Sequence, residues 1–151
     1  MAIRTTDSLR RLLFADAFTC ALFGAQLWLL ADVLSRWTNI PAAIMQYAGF
    51  ALLPIALTIG ATASLWAHVP SAVWAVAIGN AGWVVASAWL VVGGVVQPTV
   101  FGTLFVAGQA ALVALFTWGE ARGALRLHRA ASNAAAQSGA HSGSRVDRSL
   151  A

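Results

Sequence analysis

Between Asp16 and Glu120 only two residues carry formal charge, Asp32 and Arg36. An uncharged run of this length cannot cover a folded surface in water, because a soluble domain draws about a quarter of its residues from Asp, Glu, Lys and Arg. Over all 151 residues the charged fraction is 9% and the hydrophobic fraction 60%, with a mean hydropathy of +0.76. A water-soluble globule is excluded. The run divides instead into apolar stretches of about 20 residues, the length that crosses roughly 30 Å of hydrocarbon as a helix. Lipid offers no partner to a backbone N–H or C=O, so each stretch must satisfy its own, which a helix does. The expected fold class is all-α: an integral membrane four-helix bundle.

The first span is expected over 9–31, opened by the capping residues Thr6, Asp7 and Ser8 and closed at Asp32. It is longer than the about 7–15 residues of a signal-peptide core, contains Asp16 and Gln26, and ends without a small-x-small cleavage pattern. A polar loop around Ser35, Arg36, Trp37, Thr38 and Asn39 leads to Pro41, which suits the first turn of a second span over 42–66. Pro54 removes a backbone donor inside that span and predicts a kink, which Thr58 can help to accommodate. The third span is expected over 71–95, after a short loop with His68, Val69 and Pro70. The fourth begins at Pro98 and Thr99, covers 99–121 and extends as a helix to about residue 127. Short connections make successive spans antiparallel, so 9–127 should form an up-down-up-down bundle behind a short N-terminal segment, 1–8. Residues 128–151, rich in Ala, Ser, Gly and Asn, cannot bury a core and are expected to be a disordered tail.

Basic residues set the orientation. Arg4, Arg10 and Arg11 stand at the N-terminal flank of the first span and Arg122, Arg126 and Arg129 follow the last, against Arg36 alone at the other side. Basic flanks stay in the cytoplasm, so both termini are expected there, in the inner (plasma) membrane of a bacterium. All nine basic residues are Arg, among abundant Ala and Gly, which suggests a GC-rich bacterial genome. Trp28 and Trp37 then mark the outer interface, and Trp66, Trp74 and Trp118 the inner one. Arg10, Arg11, Arg122, Arg126 and Arg129 are read as facing lipid headgroups. The last three share one helix face, each attracted to an anionic leaflet by about 1 kcal/mol. A pI of 11.1 would suggest nucleic acid in a soluble protein, but these groups flank spans rather than form a basic face, and no nucleic-acid partner is expected. The single Cys20 allows neither an intrachain disulfide nor a thiolate metal site. His68, His128 and His141 lie in separate regions, and neither metal nor cofactor is expected. No nucleophile and base stand at motif spacing and there is no phosphate loop, so the chain is not expected to be an enzyme.

What remains is the polar content of the spans. Asp16 at bilayer depth costs ~2.5–3.5 kcal/mol and calls for a partner in the bundle interior. Counting a rise of about 1.5 Å per residue puts Asn80 at the depth of Asp16, with Gln109 within about one turn. Asn80, Trp83 and Ser87 share one helix face. Trp83 lies too deep for an interfacial anchor, and its indole N–H needs an acceptor such as Asp16 or Gln109. Ala75 and Gly79 form a small-xxx-small pair suited to close helix approach, and Gly60, Gly102 and Gly108 are read as packing residues. Asp16, Asn80, Trp83 and Gln109 are therefore the candidate polar or proton site, either holding the helices together by hydrogen bonds or binding a proton.

The stretch Val73-Trp74-Ala75-Val76-Ala77-Ile78-Gly79-Asn80-Ala81-Gly82-Trp83-Val84-Val85-Ala86-Ser87, with Gln97-Pro98-Thr99-Val100-Phe101-Gly102 and Phe105-Val106-Ala107-Gly108-Gln109-Ala110, resembles a group of small uncharacterised bacterial four-helix inner-membrane proteins. The likeness spans about 9–127. It implies a fold but no activity, and it singles out Asn80, Trp83, Pro98 and Gln109. The chain also resembles, less closely, the small multidrug resistance transporters, with four short helices and an acidic residue early in the first. Asp16 stands where those proteins usually have Glu, their aromatic pattern is missing, and the Arg bias imposes one orientation where some of them insert both ways.

Three functions follow as expectations. The first is a non-enzymatic accessory or structural membrane component that associates through small-residue helix faces, as a homo-oligomer or within a larger membrane complex. The second is a small oligomeric proton-coupled transporter using Asp16. The third is a membrane protein that binds an apolar ligand, a quinone or lipid, with Asn80 and Gln109 fixing it.

Overall fold

A computed structural model describes residues 2–149, with side chains described for 6–133 and 135–137. The chain is helical throughout, without strands among the described residues. Helix α1 (Ala2–Leu29) is followed by α2 (Ala31–Thr38), α3 (Ala42–Ala61), a π-helical turn (Thr62–Trp66), α4 (Pro70–Val92) and α5 (Val100–Ser149). Four segments are long and apolar enough to cross a membrane: Thr6–Leu29, Ala42–Trp66, Pro70–Val92 and Val100–Gln137. These are the helices of a multi-pass membrane protein. Phe18, Leu57 and Val92 are 70%, 76% and 87% exposed, a surface that would drive aggregation in water and that is ordinary in lipid.

Two segments differ from the sequence expectation. The polar loop after the first span is a helix, α2, with Asp32 in its first turn and Arg36 in its last, the arrangement that complements the helix dipole. It ends at Asn39, whose φ of 57° makes it the non-glycine residue with positive φ among those described, a conformation that Asn tolerates. The second difference is α5, which continues as a helix through Ser149 where composition predicts disorder from 128. Alanine, the strongest helix former, recurs there at Ala130, Ala131, Ala134, Ala135 and Ala136, and a helix already nucleated in the bundle adds residues more easily than one that must start.

Helix α1 packs on α3 and α5, and α4 packs on α5. Where α1 and α3 cross, their backbones touch: a Cβ on Gly49 would stand 2.7 Å from the Gly24 carbonyl oxygen and 2.7 Å from the Trp28 nitrogen. Gly102 meets the Thr38 carbonyl in the same way. Gly102 is thus the packing residue the pattern predicts, whereas the other small residues singled out by pattern behave differently. A Cβ at Gly79 or Gly108 would meet nothing within 4 Å, and at Gly60 only the Ala17 methyl at 3.9 Å. The Ala75 and Gly79 pair thus seats no helix of this chain. At the end of the bundle formed by α2 and the start of α5, Thr99 N donates to Thr38 O at 2.9 Å. Thr99 Oγ1 donates to Trp37 O at 2.7 Å and Asn39 Nδ2 to Gln97 O at 2.7 Å. Helices α3 and α4 are consecutive but make no extensive contact except through the π turn. A cleft opens between them.

Candidate functional site

Helices α1, α4 and α5 each bring one polar side chain to a common point. Asn80 Nδ2 donates to Asp16 Oδ2 at 2.8 Å and to Glu120 Oε2 at 3.1 Å. One amide nitrogen thus brings the two carboxyl groups side by side. Asp16 and Glu120 are 0% exposed and Asn80 3%. On α1, one turn further along, Cys20 Sγ approaches Asp16 Oδ1 at 3.7 Å. The close approach of α1 and α5 that permits this meeting comes from glycine: Gly119 lies against Leu12 and Gly123 against Leu9. Fully buried Leu13 and Ala124 keep the surroundings apolar. Among the described residues no cationic side chain acts on either carboxyl, and Glu120 Oε1, buried, has no hydrogen-bond partner.

The sequence reading brought Asp16 and Asn80 together and so does the structure. It placed Glu120 with the charges of the C-terminal flank, whereas Glu120 is the second carboxyl of the buried cluster. Gln109 takes no part in that cluster; its Nε2 donates to Ser87 Oγ at 3.3 Å, further along the face of α4 that carries Asn80. Trp83 finds neither of the acceptors expected for it, and its buried Nε1 has no partner. Arg10, Arg11, Arg122, Arg126 and Arg129 are exposed. Arg10 lies 5.6 Å above the Phe14 ring and Arg122 3.6 Å above the Trp118 ring, where aromatic faces hold cations. Pro98 is half-buried at the start of α5.

Beside the cluster, the cleft between α3 and α4 forms a cavity of about 480 Å³. Leu52, Ile55 and Ile59 of α3 and Val76 of α4 form its apolar walls; Cys20, Phe23, Asn80, Trp83 and Gln109 also line it. Its rim residues Pro54, Thr58, Ala75 and Gly79 are exposed, so the cleft opens sideways toward hydrocarbon rather than along the bundle axis. A second cavity of about 230 Å³ adjoins Ile44, Met45, Leu90 and Phe105. Trp83 and Gln109 line both and form the wall between them. Asn80 is the link between the cavity and the carboxyls, since it lines the one and donates to the other two. Among the described residues no three His, Cys, Asp or Glu side chains are grouped to hold a metal ion. The arrangement offers an apolar site of small-molecule size with indole and amide groups on one side, next to two buried carboxyl groups. No known protein family, curated protein or solved structure matches the chain.

Proposed function

We propose that this chain is a non-enzymatic multi-pass protein of the bacterial inner membrane, both termini in the cytoplasm, that binds a small apolar molecule taken from the bilayer into the cleft between α3 and α4. A volume of about 480 Å³ falls within the roughly 300–1,000 Å³ of small-molecule sites, which pair apolar walls with a few polar groups. The observation that carries the reading is the Trp83 indole N–H, buried without an acceptor in the wall between two apolar cavities. Buried donors are ordinarily paired, and a carbonyl-type oxygen on the guest supplies what the chain does not. The guest is therefore an apolar body with an acceptor, of the quinone or lipid-ester kind.

The test is quenching of tryptophan fluorescence by a short-chain quinone and by a brominated lipid, with the protein in nanodiscs. Saturable quenching by one of the two is expected. Trp83→Phe keeps an aromatic ring and removes the donor; read through the six remaining tryptophans, binding should weaken about fivefold or more, at least the effect of one net hydrogen bond. Quenching that rises linearly with both probes, as for free partition into lipid, contradicts the proposal.

A second reading is an accessory component that docks a partner helix or a second copy of itself. Its support is the open space over Gly79 and Gly82 on α4 and Gly108 on α5, small-residue surfaces of the kind that lets transmembrane helices approach closely. Gly82→Leu separates the two. It should abolish self-association if the surface is an interface and leave quinone quenching intact if only the cleft matters, because Gly82 does not line the cavity.

A further inference from the structure

We propose that Asp16 and Glu120 form a single intramembrane proton-binding site, one proton shared between the two carboxyl groups and Asn80 holding the pair together. The inference stands on the cluster alone and does not require a guest in the cleft. Two ionised carboxylates sharing one amide donor, with no cation acting on them among the described residues, would repel in surroundings of low dielectric. A carboxylic acid sharing its O–H with a neighbouring carboxylate removes the repulsion while both groups stay on the one Asn80 nitrogen.

The hydrogen bonds fit this state. Asn80 Nδ2 reaches one oxygen on each side, Asp16 Oδ2 and Glu120 Oε2. That leaves Glu120 Oε1, buried and without a donor from the rest of the chain, as the position for the proton or its acceptor. The groups facing the pair are few. Cys20 comes from α1 and Asn80 from α4. The segment 42–66 contributes no charged residue, nor does α4. The nearest charge along α5, Arg122, is exposed and stacked on Trp118. A structural ion pair is therefore not the explanation of the cluster, and neither is a metal centre among the described residues. The step is proton exchange alone: the shared proton leaves to water, the pair gains one negative charge, and no other bond is made or broken.

Infrared difference spectroscopy of the full-length protein in lipid bilayers reads the site directly, since an un-ionised carboxyl and a carboxylate absorb at different frequencies. A carboxyl band present at neutral pH should disappear on alkalinisation with the loss of one proton per chain. Asp16→Asn and Glu120→Gln should each displace the midpoint by about one pH unit or more, because strongly coupled groups titrate as a pair, and the double variant should lack the band. No titrating carboxyl band in the unmodified protein overturns the proposal without reference to how any variant folds. So does a band that survives in the double variant, which would belong to another Asp, or a midpoint that moves in only one single variant.

Discussion

One amide nitrogen, Nδ2 of Asn80, serves two carboxyl groups on two other helices. An interhelical hydrogen bond in a bilayer contributes on average only ~0.6 kcal/mol, because the unfolded chain also finds partners there. Asn80→Leu does more than delete two such bonds: it leaves two buried carboxyls without their donor, a penalty of about 1–3 kcal/mol. Unfolding in mixed micelles titrated with a denaturing detergent should show a loss of that size. A change below about 0.5 kcal/mol would mean that the cluster does not hold the helices together. The Asp16 and Asn80 half of the site is legible in the sequence, because both lie at a countable distance from a span end and neither can face lipid. Glu120 is not. It stands two residues before Arg122 at the end of an apolar run, where a headgroup-facing charge is the ordinary reading. Only the close approach of α1 at Gly119 and Gly123 turns it inward. Gln109 was drawn into the cluster by depth alone, and depth does not specify which face of a helix meets which neighbour.

At the scale of elements, α1 and α3 depend on one crossing. Gly49→Ala would push a methyl group to 2.7 Å from backbone atoms of α1, and backbone cannot rotate aside as a side chain can. Overpacking of this kind costs about 1–3 kcal/mol. The same detergent titration should register that loss at Gly49 and no loss at Gly108→Ala, where the added methyl meets open space. Pattern does not distinguish the two, since each glycine sits in an apolar helix; what differs is whether another backbone happens to pass. The four spans themselves are legible, because length and apolarity are sequence properties; the limits of the first three fall within a few residues of those observed, while the fourth runs on to Gln137 instead of ending at 121. Helix α2 is less so: its short polar sequence reads as a loop, and its end is held by the bonds that Thr99 donates to Trp37 and Thr38 and that Asn39 donates to Gln97, just before α5. Beyond Leu127 the described side chains of α5 are exposed from His128 to Asn133 and from Ala135 to Gln137. Truncation after Arg129 should therefore leave bundle stability unchanged within about 0.5 kcal/mol. A clear loss in the same titration would show that the distal helix packs against the bundle.

Over the whole molecule, charge and cleft give separate predictions. On the proposed topology the Arg residues at both ends hold the two termini on the cytoplasmic side. A cytoplasm-active reporter fused after Leu127 should be functional, and a periplasm-active one silent; the reverse result would invert the bundle. The opening between α3 and α4 has no counterpart in the sequence pattern, which reads four spans joined by short turns as a closed bundle. Its cause is that α1 lies against α3 and α4 lies against α5, while only the π turn ties α3 to α4. The central claim is that a guest occupies this opening. Gly79 lines it, and a Cβ there meets nothing within 4 Å, so Gly79→Phe can fill the cleft without displacing a helix. Quinone or brominated-lipid quenching measured on this variant should lose its saturable component while the detergent unfolding midpoint stays in place. Saturable quenching equal to that of the unmodified protein would contradict the assignment of the cleft as the binding site.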